Sequence, residues 1–254
     1  MEYAATYIRV EDPGNAKTKL TTAMTIAKLE SEINRLYKPG AGTWKIKGVD
    51  ATTEIGYDII KNGSLDLEPQ IESEEWKKVL EKCDLTQHTL VHVHDLRWSY
   101  FLTKDVKATD TVLHIKDYGG SLAFIGNNNY SIEDGAGNSA GIKVKSLDKA
   151  KLEITLDAAI GTAFKLTDKP ALIWPLGGLG GNPTVISDVG TPADLIIYAA
   201  HELGHAQCGF KDIVERAAIM FGGSETGENL RYRPIEKYYY AGESESQWTI
   251  MKGR

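Results

Sequence analysis

Apolar residues recur three and four apart between Leu20 and Tyr37. Ile26, Leu29, Ile33, Leu36 and Tyr37 fall on one stripe, which predicts an amphipathic helix over that stretch, closed by Lys38-Pro39-Gly40. Thr43 to Val49 alternates through Trp44, Ile46 and Val49 and reads as a strand. Ile59 to Leu65 contains Asn62-Gly63, the signal of a tight hairpin, and Glu72 to Lys82 reads as a second helix. Thr89 to Asp95 is rich in β-branched residues and predicts a strand.

The texture changes between Lys104 and Pro175. Thr111–Ile115, Leu122–Ile125, Tyr130–Ile132, Gly141–Lys145, Lys151–Leu156 and Ala171–Trp174 are short alternating runs separated by Asn-, Asp- and Gly-rich turns. That spacing predicts a small β-barrel or sandwich of roughly 70 residues. The expected division is a core of 1–104 and 175–254, with 105–174 as an inserted all-β domain. A glycine loop follows from Trp174, then a short strand at Thr184–Ser187 and a turn into another helix. The glycines lack the strand–turn–helix setting of a dinucleotide site.

That last helix carries the chemistry. Thr191 suits the N-cap, Pro192 the first helical position, Asp194 the positive end of the dipole, and Gly209 a left-handed stop. Leu195 to Ala200 are apolar or aromatic all round, which marks a buried helix rather than a surface one that happens to carry two histidines. Within it stands His201-Glu202-Leu203-Gly204-His205. Imidazoles four apart share a helix face and can reach one metal ion, here zinc. Glu202 stands beside them, placed to act on water rather than to bind the metal. Histidines and a glutamate without partners are costly to bury, and a metal removes that difficulty. A third ligand converges on the ion only if the chain turns back after the helix.

The segment resembles the metzincin clan of zinc peptidases, whose pattern is H-E-x-x-H-x-x-G-x-x-[HD] followed by a methionine turn. Here the run is His201-Glu-Leu-Gly-His205-Ala-Gln-Cys-Gly209-Phe-Lys-Asp212, with one extra residue before Gly209. The expectation is that an extra helical residue or a local bulge absorbs it. The resemblance implies Asp212 as the third ligand, since an uninterrupted count would select Lys211, whose ammonium is a poor candidate. Cys208 and Glu215 compete for that role. Cys208 lies three residues after His205 but also suits a small buried position, and Glu215 would point to a clan whose third ligand comes from a second helix. Met220 matches the methionine turn, although a core methionine before a glycine loop has the same appearance. Gly222 stands where some members carry a tyrosine ligand, and Tyr232 is the nearest substitute along the chain.

The resemblance implies an α+β fold: a metzincin-like zincin core of mixed sheet, N-terminal helix and active-site helix, here with the inserted all-β domain. It also implies a zinc-dependent endopeptidase. Zinc would be held by His201, His205 and Asp212, Glu202 would serve as general base, and a peptide or protein substrate would lie along an edge strand. The alternative is a zinc-binding recognition or interaction module with weak or no peptidase activity.

Other features narrow the picture. His92 and His94 alternate on one strand face, an arrangement that can bind metal, yet Leu90, Val91 and Val93 equally suit a sheet strand with a solvated polar face. His88 and His114 read as surface residues. A net charge of −6 with no basic run argues against nucleic acid, and two cysteines are too few for a disulfide framework. No apolar run suggests a membrane span, and no signal peptide stands out. The expectation is a cytoplasmic or non-classically exported protein, or a secreted one trimmed of its signal.

Overall fold

A computed structural model describes residues 2–38, 42–126, 129–188 and 191–210. The chain opens with β1 (Glu2–Glu11), α1 (Ile26–Tyr37), β2 (Thr43–Glu54), β3 (Leu65–Leu67) and α2 (Glu74–Leu80). β4 (Thr89–Val93), β5 (Leu96–Phe101) and β6 (Val112–His114) follow, then β7 (Asn129–Glu133), β8 (Ser139–Asp148) and β9 (Glu153–Leu156). β10 (Ala171–Leu176), β11 (Gly178–Leu179) and β12 (Thr184–Ser187) lead into α3 (Pro192–Leu203). The result is a mixed α and β architecture of two mixed sheets with few helices, compatible with the expected α+β class.

The first sheet has the order β11-β12-β4-β1-β2. β2, β1, β4 and β12 run parallel, and only the edge strand β11 is antiparallel. Alternation along these strands feeds two cores. Tyr3, Ala5, Tyr7, Leu90 and Ile186 join α1 and α3 on one face, where Leu29, Ile33, Leu36, Leu195, Ile196 and Leu203 are buried. Val91, Val93 and Val185 point to the other face and meet Tyr57, Leu65, Val79 and Leu96. Coverage on both faces explains why β4 is buried throughout.

The second sheet has the order β3-β5-β10-β7-β8-β9-β6. Residues within 105–174 share an apolar core around Leu113, Ile132, Val144, Ile154 and Phe164. Their strands nevertheless continue a sheet that includes β5 and β3, because β10 pairs with β5 on one side and β7 on the other.

Several local expectations change. α1 begins at Ile26, not Leu20, with the Thr25 hydroxyl capping Lys28 N–H at 3.2 Å. The segment before it is tied instead to Asp188, whose carboxylate accepts from the backbone N–H groups of Thr21 and Thr22. Asn62-Gly63 does not form a hairpin. The Asp58 carboxylate accepts from Asn62 N–H at 3.1 Å and Gly63 N–H at 2.9 Å, and the next strand, β3, pairs in parallel with β5. Leu122–Ile125 is not a strand either: a 3₁₀ turn covers Gly119–Phe124. Among the described residues, no helix is long and apolar enough to cross a membrane.

Candidate metal centre

The Thr191–Asp194 capping box starts α3. Asp194 N–H donates to Thr191 Oγ1 at 3.3 Å, and the Asp194 carboxylate accepts from Thr191 N–H at 2.8 Å. Pro192 occupies the first turn, as its fixed φ favours. Most of the helix is buried, including Glu202, while Tyr198 and His201, with His205 a turn further on, remain half-buried along one stripe.

After Leu203 the helix widens into a π turn, Gly204–Cys208. A π turn holds one residue more than an α turn, so the helix carries a local bulge between His205 and Gly209. The N–H groups of Gly209 and Phe210 both point to the Gly204 carbonyl, and Gly209 adopts φ 66°, a left-handed value that glycine accepts without strain. The chain therefore turns back just past the second histidine.

Donor atoms of His201, Glu202 and His205 lie within 4.8 Å of one another, the one such gathering among the described residues. The two Nε2 atoms are 3.0 Å apart and the rings nearly perpendicular, at 84°. Two nitrogens each about 2.0–2.1 Å from one zinc at a tetrahedral angle would stand about 3.3 Å apart, so the pair is close to ligand spacing. His205 Nδ1 donates to the Phe210 carbonyl at 2.7 Å. A carbonyl only accepts, so Nδ1 carries a proton and Nε2 is the nitrogen through which the ring would bind a metal. The two Nε2 atoms stand at hydrogen-bonding distance, and giving up the proton between them would leave two nitrogen donors for a zinc ion.

Two supports come from elsewhere in the chain. Phe210 is buried 6.2 Å from the Tyr37 ring, which in turn lies 5.4 Å from Trp44, and the Tyr37 hydroxyl donates to the Ala200 carbonyl. The glycine segment packs directly on α3. A Cβ on Gly177 would stand 2.2 Å from Tyr198, one on Gly178 2.6 Å from Glu202 Cγ, and one on Gly180 2.9 Å from His205 Cβ. Neither support was identified from the sequence. The glycine run was a visible signal, but Phe210 acts through its carbonyl, which every residue possesses.

Other predicted positions separate from this group. His92 is fully buried on β4, so the expectation of a solvated polar face on that strand is corrected. Its Nδ1 accepts from the Tyr7 hydroxyl at 2.7 Å and its Nε2 faces Asp188 at 3.3 Å. Burial holds the ring below its ordinary pKa despite Asp188, so it is neutral at pH 7. His88 is half-buried beside Thr184 Oγ1 at 2.8 Å rather than a surface residue. Cys208 is fully buried in the core with α1. Lys211, Asp212, Glu215, Met220, Gly222 and Tyr232 lie outside the described residues.

No family model and no curated protein matches the chain. Among solved structures, the chain matches the Gp54 tailspike of Acinetobacter baumannii bacteriophage AP22 in complex with A. baumannii capsular saccharide. Identity is 6%, the TM-score is 0.26, and the match covers 69% of this chain but 21% of the tailspike. At that level neither fold nor function passes from one protein to the other.

Proposed function

We propose that this chain is a zinc-dependent endopeptidase built on a metzincin-like zincin core. The observation that carries the reading is the pair of Nε2 atoms 3.0 Å apart, with Glu202 beside them. Further support comes from four parallel strands, an antiparallel edge strand beside the site, and α1 and α3 packed on one face. His201 and His205 would hold zinc through Nε2, with Asp212 as third ligand. Bound zinc would polarise the scissile carbonyl and bring the pKa of a water towards about 7. Glu202 would serve as the general base for the attacking water and return the proton to the leaving amine; its burial in the angle between α3 and β11 strengthens each electrostatic contact it makes. The substrate backbone would pair with β11, the edge strand among the described residues, so that recognition rests first on main-chain hydrogen bonds.

Zinc content and casein hydrolysis test this together. Wild-type chain should hold one zinc after mild dialysis and cleave casein. His201→Ala, His205→Ala and Asp212→Ala should each bind zinc much more weakly. Glu202→Ala should keep the metal and lose at least about a hundredfold in rate, the usual share of an acid–base group. A wild-type chain that neither holds nor takes up zinc ends the proposal, as does a Glu202→Ala variant of undiminished activity.

A further inference from the structure

An open strand edge runs past the metal centre and leads to an aromatic cleft. β4 and β5 follow one another with only His94 and Asp95 between them, and β10 and β11 with only Gly177 between them. β10 is antiparallel to β5, while β11 is antiparallel to β12, itself parallel to β4. The two runs therefore keep one mutual direction through both breaks. β7 pairs with β10 only at Ala171–Ile173; among the described residues no ladder continues along Trp174–Leu176 on the flank away from β5, where Asn129 and Tyr130 of β7 instead line a cleft against Trp174 and Pro175. Among the described residues, β11 is outermost in its sheet and has no partner strand on the flank away from β12. Both flanks face away from the line of β4 and β5. One edge thus continues from Trp174 to Leu179, passing Glu202 at Gly178.

At the Trp174 end lies a cleft of about 440 Å³ lined by Asn129, Tyr130, Ser131, Ile173, Trp174 and Pro175. The Tyr130 and Trp174 rings stand 5.9 Å apart at 58°, both half-buried, and none of the lining residues among the described ones is charged. Neighbouring aromatic faces with one side open suit a large apolar side chain better than a polar one. Four Cα-to-Cα steps lead from Trp174 to Gly178, so their Cα atoms lie no more than about 14 Å apart. An extended peptide advances about 3.3 Å per residue, so that gap spans at most about four substrate residues.

We infer that this cleft is a substrate subsite. On the reading of the centre as a peptidase, it receives a bulky apolar side chain, aromatic or leucine-like, within about four residues of the scissile bond of a peptide paired along Trp174–Leu179. Continuity of the edge with the metal centre selects this occupant.

Two assays test the subsite independently of catalysis. In the first, zinc-loaded wild-type chain cleaves a decapeptide library and the cut sites are read by mass spectrometry. Phe, Tyr, Trp or Leu should be enriched at one fixed position within four residues of the cut. Trp174→Ala should lose the enrichment and Trp174→Phe should keep it. For a peptide with Phe at that position, kcat/KM should fall about tenfold in Trp174→Ala. For its Gly counterpart it should not change. In the second assay, Glu202→Gln binds library peptides without cleaving them, and anisotropy should show Phe-bearing peptides held about tenfold more tightly than Gly-bearing ones. Adding Trp174→Ala should abolish that difference. Cleavage without a positional preference, or a preference that survives Trp174→Ala, overturns the subsite and leaves the peptidase standing. Absent cleavage with Trp174-dependent binding does the reverse, and absent cleavage with absent binding removes both.

Discussion

His205 is held from behind by the Phe210 carbonyl, so under the proposed zinc reading Phe210 is a positioning residue. The phenyl ring is buried against Tyr37, and that packing fixes where the Phe210 carbonyl can meet Nδ1. Truncating a buried Phe to Ala removes about 3–5 kcal/mol of packing. It also frees the turn that carries the carbonyl. Disturbing the partner behind a metal-binding histidine typically weakens the metal about 10- to 100-fold. Phe210→Ala should therefore lower both thermal stability and zinc affinity, and Phe210→Leu, which keeps most of the apolar volume, should restore most of each. Zinc titration of the two folded variants decides it: equal affinity in Phe210→Ala and wild type would remove the positioning role. At this scale the sequence is half readable. His201, Glu202 and His205 announce themselves by type and spacing, whereas a role carried by a carbonyl leaves no mark on the choice of side chain.

Elements were readable where their ends are chemical. Thr191, Pro192 and Gly209 bound α3 and its π turn because capping and left-handed geometry each demand particular residues. Where a tertiary partner supplies the ordering, local pattern misleads. Leu20–Thr25 precedes the stripe of α1 but is ordered by N–H groups donated to carboxylates, Leu20 to Glu11 and Thr21 and Thr22 to Asp188, and the N–H groups of Asn62 and Gly63 donate to Asp58. The glycine segment shows the converse, a conspicuous composition whose reason lies wholly in another element. Glycine at 178 lets β11 approach α3 until no room for a Cβ remains beside Glu202. Gly178→Ala should push the strand and Glu202 apart, with a strain of about 1–3 kcal/mol. The expected result is a loss of hydrolysis with most of the zinc retained, since the clash falls on the glutamate rather than on either histidine. Gly141→Ala, where a Cβ meets nothing within 4 Å, is the control and should leave activity intact. Wild-type rates in Gly178→Ala would mean that the close packing has no part in catalysis.

Across the whole molecule the pairing of distant strands, such as β3 with β5, has no signature in local periodicity, and neither do the buried carboxylates that tie distant segments together. Two of these carboxylates give stability opposite pH dependences. Burial pushes the Asp188 carboxyl up, but hydrogen bonds from His92, Thr22 and Thr21 outweigh it and hold its pKa well below the ordinary 3.8. Its contribution is complete at neutral pH and is lost as pH falls below that ordinary value. Glu75 is different. Its carboxylate gathers the N–H groups of Ile59, Ile60 and Asp66, yet burial first and the Asp66 charge second raise its pKa to about 8 from the ordinary 4.5. Between those values the folded chain retains a proton that the unfolded chain has released. Stability therefore declines as pH rises from 4.5 to about 8, by at most about 1.4 kcal/mol per pH unit from this one group. Urea unfolding of the zinc-free chain in chelator from pH 3 to 9, compared with Glu75→Gln and Asp188→Asn, separates the two. Glu75→Gln should flatten the decline above pH 5, and Asp188→Asn, less stable at neutral pH, should lose less on acidification below about pH 4. A wild-type curve that rises from pH 5 to 8 in parallel with Glu75→Gln would show that Glu75 is ionised throughout, held in that form by its three backbone donors.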